Sequence, residues 1–367
     1  MLRSLPKVSL LLLSALLFLL FLVSFPGSRF PAFVFYPAAH AADPPPASHA
    51  IACVLPLSGR YAVLGQRALK GILAAAGAFV ADGSGALRVV AIDWGSDEGR
   101  LAEAFRSAAS TEGVEAVIGP VLRESVLRVG GIVEELRVPT VVFPISEKDF
   151  RDNPYFITFS FPLEEQARMM ARFARYGLGA ERVAVLYSDT REGTILKDVF
   201  VAALRPSRVD VVYMGTVESF MRGYEREIAW FRARPPQAVF LAAGPAVASQ
   251  VIVRLRRDEE LKEQEVEPVF LGPSMWNTPL FTEAMGEEGD GIFFTDFFYP
   301  RNPRWRRFAA AYGRAFAGRP GLLEYQFYEA ARLVGEALRE APQGGGADVR
   351  NLLLSRPAPR GYDIVSR

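Results

Sequence analysis

Histidine and cysteine are nearly missing from this 367-residue chain, which has two of the first and one of the second. Both histidines, His40 and His49, precede the first predicted strand. The expected folded body therefore lacks an imidazole for a Ser-His or Cys-His pair, for general-base work or for a His-containing zinc site. Cys53 alone allows neither an intrachain disulfide nor a multi-thiolate metal site. It lies in the apolar run Ile51 to Leu57, where cysteine behaves as a small hydrophobe. Ala50-Ile51-Ala52 before it is a weak lipoprotein-box pattern, but the polar stretch Asp43-Pro44-Pro45-Pro46 separates it from the N-terminal apolar run. No P-loop and no Gly-x-Ser-x-Gly elbow occurs, and Gly83-Ser84-Gly85 does not lead from a strand into a helix. These gaps argue against an enzyme and imply no cofactor and no catalytic or metal-ligating residue. Charge is also scarce in net terms, at +1 for the whole chain, so nothing electrostatic points to nucleic acid. The dense run from Asp258 to Glu267 reads as a solvated helix end.

What is present begins with an export pattern. Arg3 and Lys7 precede an apolar run from Val8 to Val23, and Ala39-His40-Ala41 offers a small-x-small cleavage site. Residues 1–41 are expected to be a Sec signal peptide, followed by a Pro-rich linker over 42–49. The alternative is an uncleaved N-terminal membrane anchor, since the run falls just below the ~18 residues of a span. Removal of 1–41 takes away Arg3, Lys7 and Arg29 and no acid, leaving a net charge of −2. No second apolar stretch is expected to approach membrane-spanning length.

From Ile51 onward, short apolar runs alternate with amphipathic helical periods. Ile51–Leu57, Leu87–Asp93, Ala116–Ile118 and Pro139–Phe143 read as strands between helices. The alternation restarts with Val183–Tyr187, Val209–Tyr213, Ala238–Leu241, Val269–Leu271 and Gly291–Phe294. That pattern predicts an α/β protein of two doubly wound, open parallel sheets. Lobe 1 is expected over 50–160, completed by 297–340, and lobe 2 over 161–296, completed by 341–367.

Val54-Leu55-Pro56-Leu57-Ser58-Gly59, then Tyr61, Gly65 and Gly71, resembles the opening of the leucine-binding (branched-chain amino-acid) periplasmic solute-binding proteins. Val117-Ile118-Gly119-Pro120, Val138-Pro139-Thr140, Val183-Ala184-Val185-Leu186-Tyr187-Ser188-Asp189 with Gly193, and the closing Phe308, Tyr312, Tyr325 and Tyr328 continue it in order. The resemblance implies a type 1 periplasmic-binding fold in the periplasm. It also implies hinge closure around a small polar solute, an amino acid for instance, and delivery to an ABC importer permease. Carried over residue by residue, the ligand positions are Ser58, Tyr61, Leu64, Arg123, Ser146, Asp189, Glu192, Ser274 and Trp276. Ser58, Ser146 and Asp189 are expected to face one cleft. The sequence departs from the family at several of them. Leu122 and Arg123 replace small hydroxyl residues, Leu64 an aromatic, Glu192 a tyrosine and Ser274 the acid that pairs with an ammonium. Trp276 reads first as a core or hinge aromatic and second as a ligand contact. The opening segment is also similar to that of the lipoprotein activator of penicillin-binding protein. An alternative function is therefore regulation of cell-wall synthesis, with a penicillin-binding protein as partner.

Overall fold

The computed structural model describes residues 19–23, 32–36, 49–81, 87–143, 146, 148–150, 152–159, 161–296, 303–341, 346–355 and 363–366. In chain order it opens with strands β1 (Leu19–Val23), β2 (Ala32–Tyr36) and β3 (His49–Leu55). Then come α1 (Ala62–Ala81), β4 (Leu87–Asp93), α2 (Glu98–Ser110), β5 (Val114–Ile118), α3 (Arg123–Leu136), β6 (Thr140–Val142) and β7 (Phe156–Thr158). The second series is α4 (Leu163–Arg172), β8 (Arg182–Tyr187), α5 (Arg191–Leu204), β9 (Asp210–Thr216), α6 (Val217–Arg222), α7 (Tyr224–Ala233) and β10 (Ala238–Ala242). It continues through α8 (Pro245–Arg257), α9 (Glu259–Glu263), β11 (Val269–Gly272), α10 (Pro279–Met285) and β12 (Ile292–Asp296). Helices α11 (Pro303–Ala315), α12 (Leu322–Glu340) and α13 (Gly346–Ser355) and strand β13 (Asp363–Ser366) close the chain.

These elements form two compact units. Unit 1 comprises Met1–Pro144, Phe150–Ser160 and Pro300–Pro359, and unit 2 comprises Ile145–Asp149, Phe161–Tyr299 and Arg360–Arg367. In unit 1 the parallel strands run in the order β4-β3-β5-β6-β7, with the antiparallel hairpin β1-β2 added beside β4. Every residue of β3 is buried, as a strand covered on both faces requires. One face packs Val90, Ile92 and Val117 against Leu101, Phe105, Val126 and Val129 of α2 and α3. In unit 2 the parallel order is β12-β11-β10-β8-β9, with β13 antiparallel on β12. Val185 and Phe240 face α4 and α5, where Phe200 stacks on Phe240 at 4.1 Å, and Leu186 and Leu241 face the opposite layer with Phe220 and Ile252. Both sheets are thus doubly wound, as expected.

Four expectations change. His49 is the first residue of β3, not a residue ahead of the sheet, and its Nδ1 lies 2.9 Å from Glu115 Oε1. Helix α13, expected with lobe 2, packs in unit 1, where Val349 and Leu353 are buried and Arg350 donates to the Pro154 carbonyl. Ser146, expected in lobe 1, belongs to unit 2. Helix α1 is long enough and, at a mean hydropathy of 1.3, apolar enough to cross a membrane. Its buried residues Ala68, Ile72, Leu73 and Phe79 instead make it a core helix. The cleavage site 39–41, the linker up to residue 48 and most of the apolar run lie outside the described residues.

Candidate functional site

In open α/β sheets ligands bind at the carboxyl ends of strands, and most of the expected ligand positions lie there. In unit 1 the turn after β3 is held by Asp93, the last residue of β4. Asp93 Oδ1 accepts from the N–H groups of Leu57 (2.8 Å), Ser58 (3.2 Å) and Gly95 (2.8 Å), and Oδ2 accepts from Ser58 Oγ at 2.6 Å. Ser96 Oγ donates to the Ser58 carbonyl and accepts from Tyr61 N–H. Gly59 sits at φ +77°, a conformation glycine adopts without strain, and a Cβ there would meet the Gly95 carbonyl at 2.5 Å. The Ser58 hydroxyl is therefore engaged in building the turn. Tyr61 is half-buried with the Arg60 guanidinium 4.5 Å from its ring centroid, and Leu64 is half-buried on the first turn of α1.

The loop after β5 leads into α3, whose N-cap Leu122 supplies no side-chain hydrogen bond. The first-turn N–H groups there keep their capacity to hold an anionic or polar group. Arg123 opens the helix, 35% exposed, with Glu124 at 3.6 Å. Two residues on, Ser125 is fully buried and its Oγ has no hydrogen-bond partner among the described residues. The sequence reading passed over both Asp93 and Ser125. An acid at the end of an apolar strand, two residues before a glycine, is the signal that could have found Asp93.

Unit 2 builds its strand ends from side chains. Gln166 on α4 is buried, donates to the Phe161 carbonyl, and through Oε1 accepts from Ser274 N–H (2.9 Å) and Thr295 Oγ1 (3.1 Å). Ser146 is buried and donates to Glu164 Oε1 at 2.5 Å. Asp149 accepts from Arg191 at 2.7 Å, and Asp296, at the end of β12, accepts from Asn277 at 2.5 Å. Thr190 caps α5 by accepting from Gly193 N–H at 3.1 Å. Asp189 before that cap is exposed, and Glu192 is half-buried in the first helical turn. Helix α8, after β10, starts at Gly244-Pro245 with neither a side-chain cap nor an acid in its first turn.

Trp276 takes a different place from the one expected of a ligand contact. Its ring is fully buried, stacked on Phe281 at 4.9 Å, and its Nε1–H donates to the Ala243 carbonyl at 2.9 Å. Both faces and the polar edge are thus used by the unit 2 core. Ser274 keeps a half-buried side chain in the same loop. Of the remaining positions, Ser58, Tyr61, Leu64 and Arg123 belong to unit 1, and Ser146, Asp189, Glu192 and Ser274 to unit 2.

The chemistry on offer is recognition. Arg123 and the open first turn of α3 suit a carboxylate, and Asp189 and Glu192 suit a cationic group. Cys53 is buried, and burial pushes its thiol far above its ordinary range, which removes it as a nucleophile. No three His, Cys, Asp or Glu side chains cluster to hold a metal among the described residues. A pocket of about 450 Å³ lined by Leu255, Arg256, Lys262, Phe270 and Asp290 lies at the opposite, amino-terminal edge of the unit 2 sheet.

A family model described as periplasmic binding protein matches residues 49–357. No curated protein matches the sequence. Among solved structures, a putative branched-chain amino acid ABC transporter from Rhodospirillum rubrum is similar at 20% identity and a TM-score of 0.76, covering 85% of this chain and 90% of that one. An ABC transporter substrate-binding protein from Sphaerobacter thermophilus gives 18% identity and 0.67, covering 84% and 86%. The branched-chain amino acid transporter substrate binding protein LivJ from Streptococcus pneumoniae, in complex with isoleucine, gives 16% and 0.62, covering 83% and 87%. At these identities the solved structures establish the type 1 fold. The family match spans the folded body from the first residue of β3 to beyond α13, and the chain belongs to the periplasmic binding protein family.

Proposed function

We propose that this protein captures a small amino-acid-like solute outside the cytoplasm and delivers it to an ABC importer permease. The observation that carries the reading is the distribution of charge at the strand ends. Arg123 beside the uncapped start of α3 offers one oppositely charged partner to a zwitterion, and Asp189 and Glu192 at the start of α5 offer the other. Hinge closure of the two units around the solute is the mechanism the family affords. Export by the N-terminal segment, as its sequence pattern implies, would supply the location that this reading requires. The cell-wall regulator reading draws no support from the similar structures.

Thermal-shift measurement against the proteinogenic amino acids tests the proposal. A ligand present at about a hundred times its dissociation constant stabilises by about 2.7 kcal/mol, which raises Tm by several degrees. A flat response across amino acids and short peptides would sink it.

A further inference from the structure

The outer face of α11 carries none of the residues proposed for solute capture. Between Asp296 and Glu324 the sequence carries six arginines, Arg301, Arg304, Arg306, Arg307, Arg314 and Arg319, and neither an acid nor a lysine, in a chain of net charge +1. Helix α11 turns Trp305, Phe308, Ala311 and Tyr312 into the core of unit 1 and leaves Arg306, Arg307 and Arg314 exposed, with Arg319 exposed just beyond it. Arg307 and Arg314 are seven residues apart, so they share one helix face about 10 Å apart along the axis. Both also bear on one buried ring. Burial and Glu329 raise the Tyr328 phenol above its ordinary range, and Arg332, Arg307 and Arg314 oppose that rise.

Many of the arginines elsewhere in this protein are ion-paired. Arg67 meets Glu324, Arg106 meets Glu135, Arg128 meets Glu98, Arg232 meets Glu260 and Arg234 meets Asp210. Arg306, Arg307, Arg314 and Arg319 have no ion pair among the described residues. Four like charges on one short surface repel each other, and a polyanion relieves that repulsion. Among the described residues the same face has no exposed large apolar side chain, and Ala310, Gly313 and Ala317 stand between the arginines. A protein interface is centred on buried aromatic or aliphatic anchors, and none is offered here. What remains is charge alone, spread over an open surface, with guanidinium forks that match phosphate oxygens bidentately. We infer that the arginine face of α11 docks the protein on an anionic phospholipid surface by headgroup contacts, without insertion.

Co-sedimentation of the full chain with phosphatidylcholine vesicles, with and without about a quarter phosphatidylglycerol, tests this. At low ionic strength the anionic vesicles should bind more protein. Each arginine replaced among R306Q, R307Q, R314Q and R319Q should lower the partition coefficient about fivefold, and the four together on the order of several hundredfold. About 1 M salt, with a Debye length near 3 Å, should abolish the difference between the two vesicle types. The fourfold Lys variant keeps the charge and should keep most of the binding, and R106Q/R234Q, which removes paired arginines, should change it little. Equal uptake by neutral and anionic vesicles overturns the inference, as does an unchanged partition of the fourfold Gln variant with wild-type circular dichroism. Binding of polyglutamate with no uptake by anionic vesicles assigns the face to an acidic protein and equally overturns it.

Discussion

The two units follow one plan at the start and diverge at the strand ends. In each, the helix after the first long parallel strand has a glycine in its first turn, pressed against the backbone that leads into it. A Cβ on Gly65 would lie 2.2 Å from the Pro56 carbonyl oxygen, and one on Gly193 would lie 2.2 Å from that of Ser188. Each of these helices also carries an arginine bound to a buried acid distant in sequence. Arg67 on α1 meets Glu324 through two hydrogen bonds of 2.6 and 2.8 Å, and Arg191 on α5 meets Asp149 through one of 2.7 Å. The ends of the sheets then differ. Unit 1 shapes its turn with backbone N–H groups converging on Asp93, whereas unit 2 uses Gln166, Glu164, Asp149 and Asp296 as side-chain buttresses. The unit 1 turn therefore hangs on one carboxylate, whereas in unit 2 the load is spread over several side chains, each holding a different segment.

The glycine pair gives the largest expected effect and tests whether the two starts are equivalent. Gly65→Ala and Gly193→Ala each force a methyl group against a backbone carbonyl that cannot rotate away, at a cost of about 3 kcal/mol, the upper end for overpacking. Urea unfolding should give similar losses for both. A large loss at one position with none at the other would break the comparison.

A smaller effect separates the two arginine pairs. Burial alone would raise the Glu324 carboxyl, but the Arg67 guanidinium and the Gly321 N–H hold it below the ordinary carboxylate range. A carboxyl whose folded pKa is depressed contributes stability that is fully present above its unfolded pKa of about 4.3 and is lost as pH falls through the folded value. Glu324→Gln should therefore destabilise at neutral pH by about 1.5 kcal/mol, the low end for a charged hydrogen bond because Arg67 is half-exposed. The penalty should shrink as pH drops below about 4. A penalty that stays constant between pH 7 and pH 3 would remove the ion pair from the account.

Much of this was legible in the sequence because it is written locally. The apolar runs that became β3, β4, β8 and β10, and the positions of Gly65 and Gly193, announce an α/β chain that restarts once. The partners that finish the site are encoded at long range. Nothing near Ser58 points to Asp93, thirty-five residues on, and nothing near Arg67 points to Glu324, 257 residues on. Trp276 follows a strand end, where exposure and burial look alike in sequence, and only its packing on Phe281 and its bond to Ala243 decide for the core. His49 was misplaced by two residues at a strand boundary, and α13 by a linker-like Gly-rich stretch before it. Ser125 was missed because the expected hydroxyl position is taken by Arg123, two residues earlier.

Solute recognition by charges at the strand ends is the central claim, and isothermal titration calorimetry tests it most directly. The wild-type protein is titrated with the strongest amino acid of the thermal-shift series, then the unit 1 variant Arg123→Ala and the unit 2 variant Asp189→Asn. If each supplies a charge-assisted contact, each variant loses about 1.5–3 kcal/mol of binding, on the order of ten- to a hundredfold in Kd, with an unchanged melting temperature in the absence of ligand. Wild-type affinity in both variants would contradict the account, because the bound solute would then owe nothing to the residues assigned to hold it.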